Sequence, residues 1–364
     1  MEQGGVETVV CDLVKALGTW ESVVVSKGGR LVERVEAAGG RHVALDLKSK
    51  NPLTYFRRAG KLRRILRAEK PDVVCAHSRV PAWIYVGVRR WDSIIRRFDN
   101  STIPPPWITY AHGANSVSRY SEVMTKGDLT ITPSRFLADF LRENYGLPES
   151  KIRIVPNAVD TERFDPANLD TAFVEQKRRE WGIGPDDHVT MAIGRITPVK
   201  GLEGLIREFS SASGDANSFP LRKLVIVGGA DKHHQKYLES LKALASSLVP
   251  PPSSLIPRPS SIIFAGPQAK IPECLAIADE VVSANVTKPE TFGLSVVEAY
   301  AMNKPVRVAR RFGGVAEVME AVEKAGCATL REAVRKLYGI DGYAARTEAV
   351  YRQLLTAAED SAEA

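Results

Sequence analysis

The sequence predicts an α/β protein with two doubly wound domains, each a parallel sheet covered by helices. Short apolar runs alternate with amphipathic stretches along both halves of the chain, a pattern typical of parallel strands and crossover helices. At 364 residues the chain is long enough for two domains that each bury a core. We place the domains at residues 1–165 and 166–364.

The elements of the first domain follow from the spacing of apolar residues. Short apolar runs predict strands, and a period of three to four residues predicts helices. The expected strands are residues 22–26, 42–45, 72–76, 107–111, 129–132 and 153–155. The expected helices are residues 6–17, 31–38, 55–68 and 135–144.

The same alternation continues in the second domain. The expected strands are residues 189–193, 224–227, 262–264, 280–283 and 306–309, and the expected helices are residues 202–209, 235–248, 272–277, 294–302, 315–321 and the tail 329–355. Proline and serine dominate residues 249–261, which predicts an irregular loop. Open parallel sheets bind ligands at the carboxyl ends of their strands, so we expect a cleft between the two sheets.

Composition and local sequence argue against a membrane-spanning protein and against a secreted one. Hydrophobic residues make up 44% and charged residues 26% of the chain, as in soluble globular proteins. No apolar run approaches 18 residues, and the N-terminus lacks the basic and apolar regions of a secretory signal. The four cysteines are isolated and are expected to be reduced, which favours a cytoplasmic location.

Basic residues are concentrated in one stretch. Between Arg41 and Phe98 there are 15 Lys or Arg against 4 Asp or Glu, an excess larger than the +7 of the whole chain. Such a stretch attracts a phosphorylated substrate, an anionic membrane surface or nucleic acid. Its aromatic residues do not form a base-stacking pattern and no nucleic-acid-binding motif is present, so nucleic acid is not expected. The alternative is a solvated helix face.

Residues 287–306 (T-K-P-E-T-F-G-L-S-V-V-E-A-Y-A-M-N-K-P-V) carry the clearest chemistry. A loop ending in Gly293 enters an apolar helix, so the backbone N–H groups of Gly293 and Leu294 can bind an anion such as a diphosphate. Glu290 in the loop and Glu298 in the helix can accept hydrogen bonds from sugar hydroxyls. The alternative is that Glu298 joins an internal network and Glu290 is only exposed.

A second candidate segment, G-R-I-T-P-V-K-G, runs from Gly194 to Gly201. A strand brings Arg195 to the sheet edge, and Lys200 follows just before the next helix. Two cations there would neutralise a diphosphate leaving group, the main electrostatic demand when a sugar–phosphate bond breaks. A solvated surface pair is the alternative, but it does not explain a glycine on each side.

Weaker patterns lie in the first domain. Gly4 and Gly5 precede a helix and would allow a ligand to approach the backbone closely, although the fingerprint G-x-G-x-x-G is absent. His112 ends a predicted strand, where it can contact a substrate hydroxyl or serve as a structural loop residue. The sequence contains no Asp-x-Asp pair, so we expect no metal site of the carboxylate-clamp type.

Taken in order, these segments resemble the family 4 glycosyltransferases of the GT-B architecture, which has two Rossmann-like domains facing a central cleft. The shared motifs are G-G-V-E, Y-A-H-G, T-P-S-R-F, V-P-N-A-V-D, G-R-I-T-P-V-K-G, L-V-I-V-G-G, P-E-T-F-G-L-S-V-V-E-A and F-G-G-V-A-E. Each motif is weak alone, but their joint order from Gly4 to Glu317 is specific. The chain is most similar to bacterial members that build lipopolysaccharide cores or other surface glycans.

The resemblance implies a role for each matched residue. Arg195 and Lys200 match the pair that binds the donor diphosphate. Glu290 matches the acid that contacts the donor sugar, and Glu298 matches the acid that holds the ribose. The remaining expected donor-site residues are His112 near the sugar, Gly4 and Gly5 facing the diphosphate, and Phe292, Gly293 and Leu294. The family retains anomeric configuration, and a nucleoside diphosphate sugar is expected as donor substrate without a further cofactor.

The chain departs from the family pattern at several places. The family has a strand before the G-G loop, whereas only three residues precede Gly4. Either the first sheet lacks that strand, or the natural chain starts earlier than this sequence. Ala158 replaces the glycine of N-G-V-D, and Asn303 replaces the glycine of G-x-P-V. The short C-terminal region leaves open whether a last helix returns to the first domain.

We therefore expect a glycosyltransferase that acts on a glycan or lipid-linked acceptor. The stretch from Arg41 to Phe98 would face that acceptor or the inner face of the membrane. The alternative is a catalytically silent nucleotide-sugar-binding or scaffold protein, disabled by loss of the first strand. The intact donor motifs favour the enzyme.

Overall fold

The computed structural model describes residues 4–49, 51–96, 104–212, 221–248 and 261–363. The chain forms two compact units, one of Met1–Ala158 with Tyr338–Ala364 and the other of Val159–Leu337. The division thus lies several residues before the expected boundary at residue 165. The tail from Tyr338, expected in the second domain, packs with the first unit instead. Residues 50, 97 and 98 of the basic stretch and residues 249–260 of the expected loop lie outside the described residues.

The first unit alternates helices and strands as expected. Its helices are α1 (Gly5–Ala16), α2 (Val32–Ala37), α3 (Tyr55–Glu69), α4 (Arg79–Arg96), α5 (Arg135–Tyr145) and, from the tail, α13 (Ile340–Glu363). Its strands are β1 (Val23–Ser26), β2 (Arg41–Ala44), β3 (Val74–Ala76), β4 (Trp107–Tyr110), β5 (Leu129–Thr132) and β6 (Ile152–Ile154). Of these, α4 was not expected from the sequence.

All strand pairs in the first unit are parallel, but they form two separate sheets. One sheet pairs β1 with β2, and the other has the order β3-β4-β5-β6. Within the described ranges, the first element is α1, and no strand joins β1 to β3. Helices α3 and α4 contribute Ala59, Leu62 and Ile84 to a core that also contains Trp107 of β4.

Helix α13 completes a core of the first unit. Its Tyr351 and Leu354 are buried with Leu13 and Leu17 from α1 and its C-cap, and with residues of β4 and β5. The Tyr351 hydroxyl lies 2.9 Å from the Tyr110 hydroxyl. A last helix therefore does return to the first unit, because its apolar and aromatic side chains cover α1 and the sheet.

The second unit is a single doubly wound sheet with its helices. The strands are β7 (His188–Ile193), β8 (Arg222–Val227), β9 (Ser261–Gly266), β10 (Glu280–Ser283) and β11 (Val306–Val308). The helices are α6 (Thr171–Glu180), α7 (Leu202–Ala212), α8 (Gln235–Leu248), α9 (Ile271–Ile277), α10 (Leu294–Ala301), α11 (Gly313–Lys324) and α12 (Leu330–Tyr338). Helix α6 was not expected.

Strand order in the second unit determines where its site lies. The sheet is parallel throughout, with the order β11-β10-β7-β8-β9. From β7 the chain continues to β8 and β9 on one side, and it later fills β10 and β11 on the other. The topological switch point therefore lies between β7 and β10, where open parallel sheets bind ligands beyond the carboxyl ends of the strands.

Three further findings concern the described part of the chain. None of its helices combines the length and the apolar character needed to span a membrane. No group of three or more His, Cys, Asp or Glu side chains gathers there as a metal site would require. The four cysteines are free thiols, as expected from their spacing.

Candidate functional site

The switch point of the second unit brings the two main candidate segments together. Arg195 and Lys200 follow β7, while Glu290 follows β10, and all three line one cavity. Apolar side chains of the adjacent strands, including Ala192 and Ile226, also line that cavity. Cations and a carboxylate among apolar side chains suit a charged, hydroxylated ligand.

Glu290 is held from two sides. Lys200 Nζ and Asn285 Nδ2 both donate hydrogen bonds to Glu290 Oε1, the second at 3.1 Å. The Lys200 and Glu290 side chains are 28% and 18% exposed, so water screens their attraction only in part. Because the carboxylate neutralises the lysine, an anionic ligand must compete with Glu290 for Lys200.

Gly201 holds the loop after β7 against the loop after β10. It has a left-handed φ of 66°, which costs a glycine no strain. A Cβ at this position would lie 2.0 Å from the carbonyl oxygen of Ala284. The two backbones therefore touch, and this contact brings Lys200 next to Glu290.

The loop of residues 290–293 ends at the N-cap of α10. Gly293 is that N-cap, with a φ of 87°, and a Cβ there would lie 2.5 Å from Val315 Cγ2. Ser295, in the first turn of α10, lines the same cavity as Lys200. The first turn of the helix thus adds backbone donors and the positive end of a helix dipole to the site.

The other residues predicted for this half of the site lie beside the cavity. The cavity lining does not include Phe292, Gly293, Leu294 or Glu298. Phe292 is buried at 4% exposure and therefore packs against the protein. Glu298 is partly buried on α10, with an interaction to another residue of the chain.

The first unit carries a second cluster, formed by three aromatic side chains at the carboxyl edge of its sheet. His77 directly follows β3 and His112 lies two residues after β4, with His77 Nδ1 and His112 Nε2 at 3.1 Å. Tyr110 stacks on the His77 ring at a centroid distance of 4.3 Å. The sequence interpretation found His112 but missed His77.

Burial keeps both histidines neutral near pH 7. It lowers the pKa of His112 to about 4. It also lowers the pKa of His77 well below the usual value, and His112 lowers that pKa further by charge repulsion. The two neutral rings can therefore share one N–H donor, since each neutral imidazole has one donor and one acceptor nitrogen.

Gly4 and Gly5 lie at the start of α1. Gly4 is its N-cap with an extended backbone. A Cβ at Gly4 would meet only the flexible end of the Glu7 side chain, and one at Gly5 would meet open space. Packing within the first unit therefore does not require glycine at either position, and their expected role toward a diphosphate stays a prediction.

Comparison with known proteins identifies the fold class of this chain and its protein family. The parallel sheets and the solved structures that the chain resembles define the GT-B class of glycosyltransferase fold. Residues 3–163 match Glycosyltransferase Family 4, and residues 173–329 match Glycosyl transferases group 1. The chain therefore belongs to the family 4 glycosyltransferases of the GT-B fold.

One similar curated protein is D-inositol 3-phosphate glycosyltransferase of Acidothermus cellulolyticus, 31% identical over 201 residues. The match covers 54% of this chain and 41% of that protein. The chain thus matches less than half the length of this relative.

Solved structures support the fold over nearly the whole chain. A glycosyltransferase from Rickettsia africae has a TM-score of 0.76 at 22% identity, covering 98% of this chain and 97% of that one. Anabaena Alr3699/HepE in complex with UDP and glucose has a TM-score of 0.71 at 18% identity, covering 95% of each chain. WaaG, a glycosyltransferase involved in lipopolysaccharide biosynthesis, has a TM-score of 0.60 at 15% identity, covering 99% and 95%.

Proposed function

We propose that this protein is a glycosyltransferase that moves a sugar from a nucleoside diphosphate sugar to a glycan or lipid-linked acceptor. The observation that carries the proposal is the group of Arg195, Lys200 and Glu290 around one cavity at the switch point. Two cations suit the diphosphate, and the carboxylate suits the sugar hydroxyls. Family membership supports this assignment.

In the proposed reaction, the bond between sugar C1 and the diphosphate oxygen breaks while the acceptor oxygen bonds to C1 from the same face. The anomeric configuration is retained. The acceptor hydroxyl passes its proton to the leaving phosphate, so no strong protein base is needed. Arg195, Lys200 and the first turn of α10 stabilise the charge that develops on the diphosphate, and no metal ion is required for that step.

The remaining predicted residues complete this proposal. Glu298 would accept hydrogen bonds from the ribose hydroxyls, and His112 would contact the transferred sugar. His112 is suited to a hydrogen bond with a hydroxyl because burial keeps its pKa at about 4 and its ring neutral. Gly4 and Gly5 would allow the diphosphate to approach the start of α1.

Thermal-shift measurements with UDP-, GDP-, ADP- and CMP-sugars test donor binding. A donor present at 100 times its Kd should stabilise the protein by about 2.7 kcal/mol, and Glu298→Ala should weaken this shift. Transfer of a radiolabelled sugar to an acceptor extract then tests catalysis. Binding without transfer or donor hydrolysis would favour the silent scaffold, and no response to any nucleotide sugar would refute the proposed donor site.

The acceptor side of the proposal rests on the surface of α3 and α4. Large apolar side chains are exposed there: Phe56 of α3 is 74% exposed, Ile94 of α4 is 60% exposed, and Leu53, in the turn just before α3, is 89% exposed. Exposed basic side chains on the same two helices are Arg57, Lys61, Arg64, Arg67 and Arg90. Apolar side chains among cations suit an anionic membrane surface better than plain solvent.

Part of the basic stretch is used inside the fold. Arg63 pairs with the buried Asp92 at 2.5 Å, and Arg58 is buried against backbone carbonyls of Asn51 and Thr54. Fewer basic side chains are therefore available to a partner than the count of basic residues in this stretch suggests. We propose that it holds the protein at the cytoplasmic face of a membrane carrying the acceptor, in the synthesis of lipopolysaccharide or another surface polysaccharide.

Liposome sedimentation tests the membrane proposal. Binding to vesicles with anionic lipid should weaken as salt is raised, and Arg64→Gln with Arg67→Gln should weaken it at low salt. Phe56→Ser should weaken binding at every salt concentration. The matched control is Arg179→Gln, an exposed arginine on α6 of the other unit. Binding that does not respond to salt or to these changes would exclude this surface.

A further inference from the structure

Asn285 is a buried polar residue at the donor cavity that the motifs do not single out. It lies two residues beyond β10 and is 4% exposed. It lines the same cavity as Arg195, Lys200 and Glu290. Its position, directly above the switch point, is determined by the pairing of β10 with β7.

Chemistry assigns the orientation of its amide. Asn285 contacts Glu290 Oε1 at 3.1 Å, and an ionised carboxylate only accepts hydrogen bonds. The group facing Glu290 must therefore be Nδ2, and Oδ1 must point elsewhere.

The Asn285 carbonyl oxygen has no hydrogen-bond partner among the described residues, although it is buried. A buried acceptor without a partner lowers the stability of the fold. In native proteins such groups are few, and each calls for an explanation, such as strain, an ordered water, or a ligand or catalytic role. Among the buried unsatisfied atoms of the described residues, Asn285 Oδ1 is the one whose residue lines the donor cavity. An apolar side chain at position 285 would avoid this cost, so folding does not explain the asparagine.

We propose that Asn285 is a positioning and specificity residue of the donor site. Its Nδ2 holds the Glu290 carboxylate in place, and its Oδ1 accepts a hydrogen bond from a hydroxyl of the transferred sugar. This inference rests on the proposed glycosyltransferase function. It adds to Glu290 a further group of the donor cavity that contacts the transferred sugar.

The role of Asn285 follows from the Glu290 oxygen that it shares with Lys200 as hydrogen-bond acceptor. Lys200 Nζ and Asn285 Nδ2 both donate to Glu290 Oε1. When a donor diphosphate draws Lys200 away, Asn285 becomes the remaining contact that keeps Glu290 aimed into the cavity. Sugar hydroxyls both donate and accept, so one hydroxyl can fill the open acceptor at Asn285.

Three measurements on Asn285→Ala test the proposal. The melting temperature should stay within about 3 °C of wild type, since the variant removes an unsatisfied acceptor. The kcat/KM for the donor should fall about 10- to 100-fold. Within a series of monodeoxy donor sugars, wild type should reject one derivative about 10- to 100-fold, and Asn285→Ala should lose that discrimination.

Asn285→Asp gives an independent readout through pH. The charged groups lining the cavity are Arg195, Lys200 and Glu290, and a second carboxylate beside Glu290 makes the pair share a proton. At neutral pH, repulsion should displace Glu290 and lower activity. As pH falls, the protonated Asp can donate to Glu290 as Nδ2 does, so activity relative to wild type should rise.

The outcomes separate this inference from the proposed function. If wild type transfers sugar but Asn285→Ala keeps wild-type kcat/KM or the same rejection of deoxy donors, the inference fails alone. A loss of melting temperature parallel to the loss of activity would make Asn285 structural, which also overturns it. If wild type neither binds nor transfers any nucleotide sugar, the proposed function fails and the inference fails with it.

Discussion

The contact between Gly201 and Ala284 yields the most quantitative prediction. Gly201→Ala places a side chain at a φ of 66°, a left-handed conformation that costs about 1–2 kcal/mol. The added methyl would lie 2.0 Å from a backbone carbonyl oxygen, so the loop carrying Asn285 must shift. Overpacking of this kind costs about 1–3 kcal/mol more. We expect a total loss of about 2–5 kcal/mol.

Two other glycines provide matched controls for the same added methyl. Gly182 has a φ of 62° with nothing within 4 Å of the added atom, so Gly182→Ala should cost only the conformational strain, about 1–2 kcal/mol. Gly204 lies in α7, also in open space, and Gly204→Ala should stabilise the protein by about 0.5–1 kcal/mol.

Urea unfolding followed by circular dichroism measures all three variants, and donor affinity is measured beside it. Gly201→Ala should also bind the nucleotide sugar more weakly, because Lys200 and Glu290 are brought together through that contact. A Gly201→Ala variant no less stable than Gly182→Ala would refute the close approach of the two loops. Normal stability with lost donor binding would instead mean that the added methyl group clashes with the bound donor.

Three further changes test other parts of the molecule. Lys200→Met should lower kcat/KM about 100- to 1000-fold but stability by about 1 kcal/mol or less, because the ion pair is only partly buried; equal losses in free energy would make Lys200 structural. The pKa of His112 falls from 6.5 to about 4 on folding, so the unfolded state binds more protons and stability should decline from pH 6.5 towards pH 4, by up to about 3 kcal/mol. In His112→Gln, urea titrations should show a shallower decline, and an unchanged pH dependence would contradict the burial of the ring. Tyr351→Phe should cost about 1–3 kcal/mol by leaving the Tyr110 hydroxyl unsatisfied, whereas the exposed Tyr120→Phe should not change the unfolding midpoint.

Elements with a clear apolar period were predicted closely from the sequence. The bounds of β5 at Leu129–Thr132 and α8 at Gln235–Leu248 agree with those expected. Helix α4 was missed, because Pro81 and its arginines obscure the period, although proline is tolerated in a first turn. Helix α6 was missed because its largely polar residues do not form an apolar face.

The candidate donor site was only partly predictable. The motif order located Arg195, Lys200 and Glu290, and the structure places them around one cavity, while their roles stay predictions. Asn285 could not be predicted from the sequence, because asparagine is a common turn residue after a strand. Its burial is visible only in the structure. His77 did leave a signal, since the pair Ala-His ends two successive strand segments, at residues 76–77 and 111–112.

The departures from the family pattern have local physical reasons. Asn303 has a φ of 55°, a left-handed turn that asparagine tolerates better than other non-glycine residues. Ala158 is buried in the core completed by α13, where a methyl group adds apolar contact. The sequence could show these substitutions, but only the backbone angles and the packing show how the chain accommodates them.

The return of α13 affects the order in which the chain can fold during synthesis. All of Val159–Leu337, which is contiguous, leaves the ribosome before Tyr343, Tyr351 and Leu354 emerge. The first unit therefore cannot complete its core until α13 has been synthesised, whereas the second unit can already fold. This is the reverse of the usual N-to-C order of domain folding. During that interval, α1 exposes apolar surface that a chaperone could bind, and release of the finished chain allows the first unit to close.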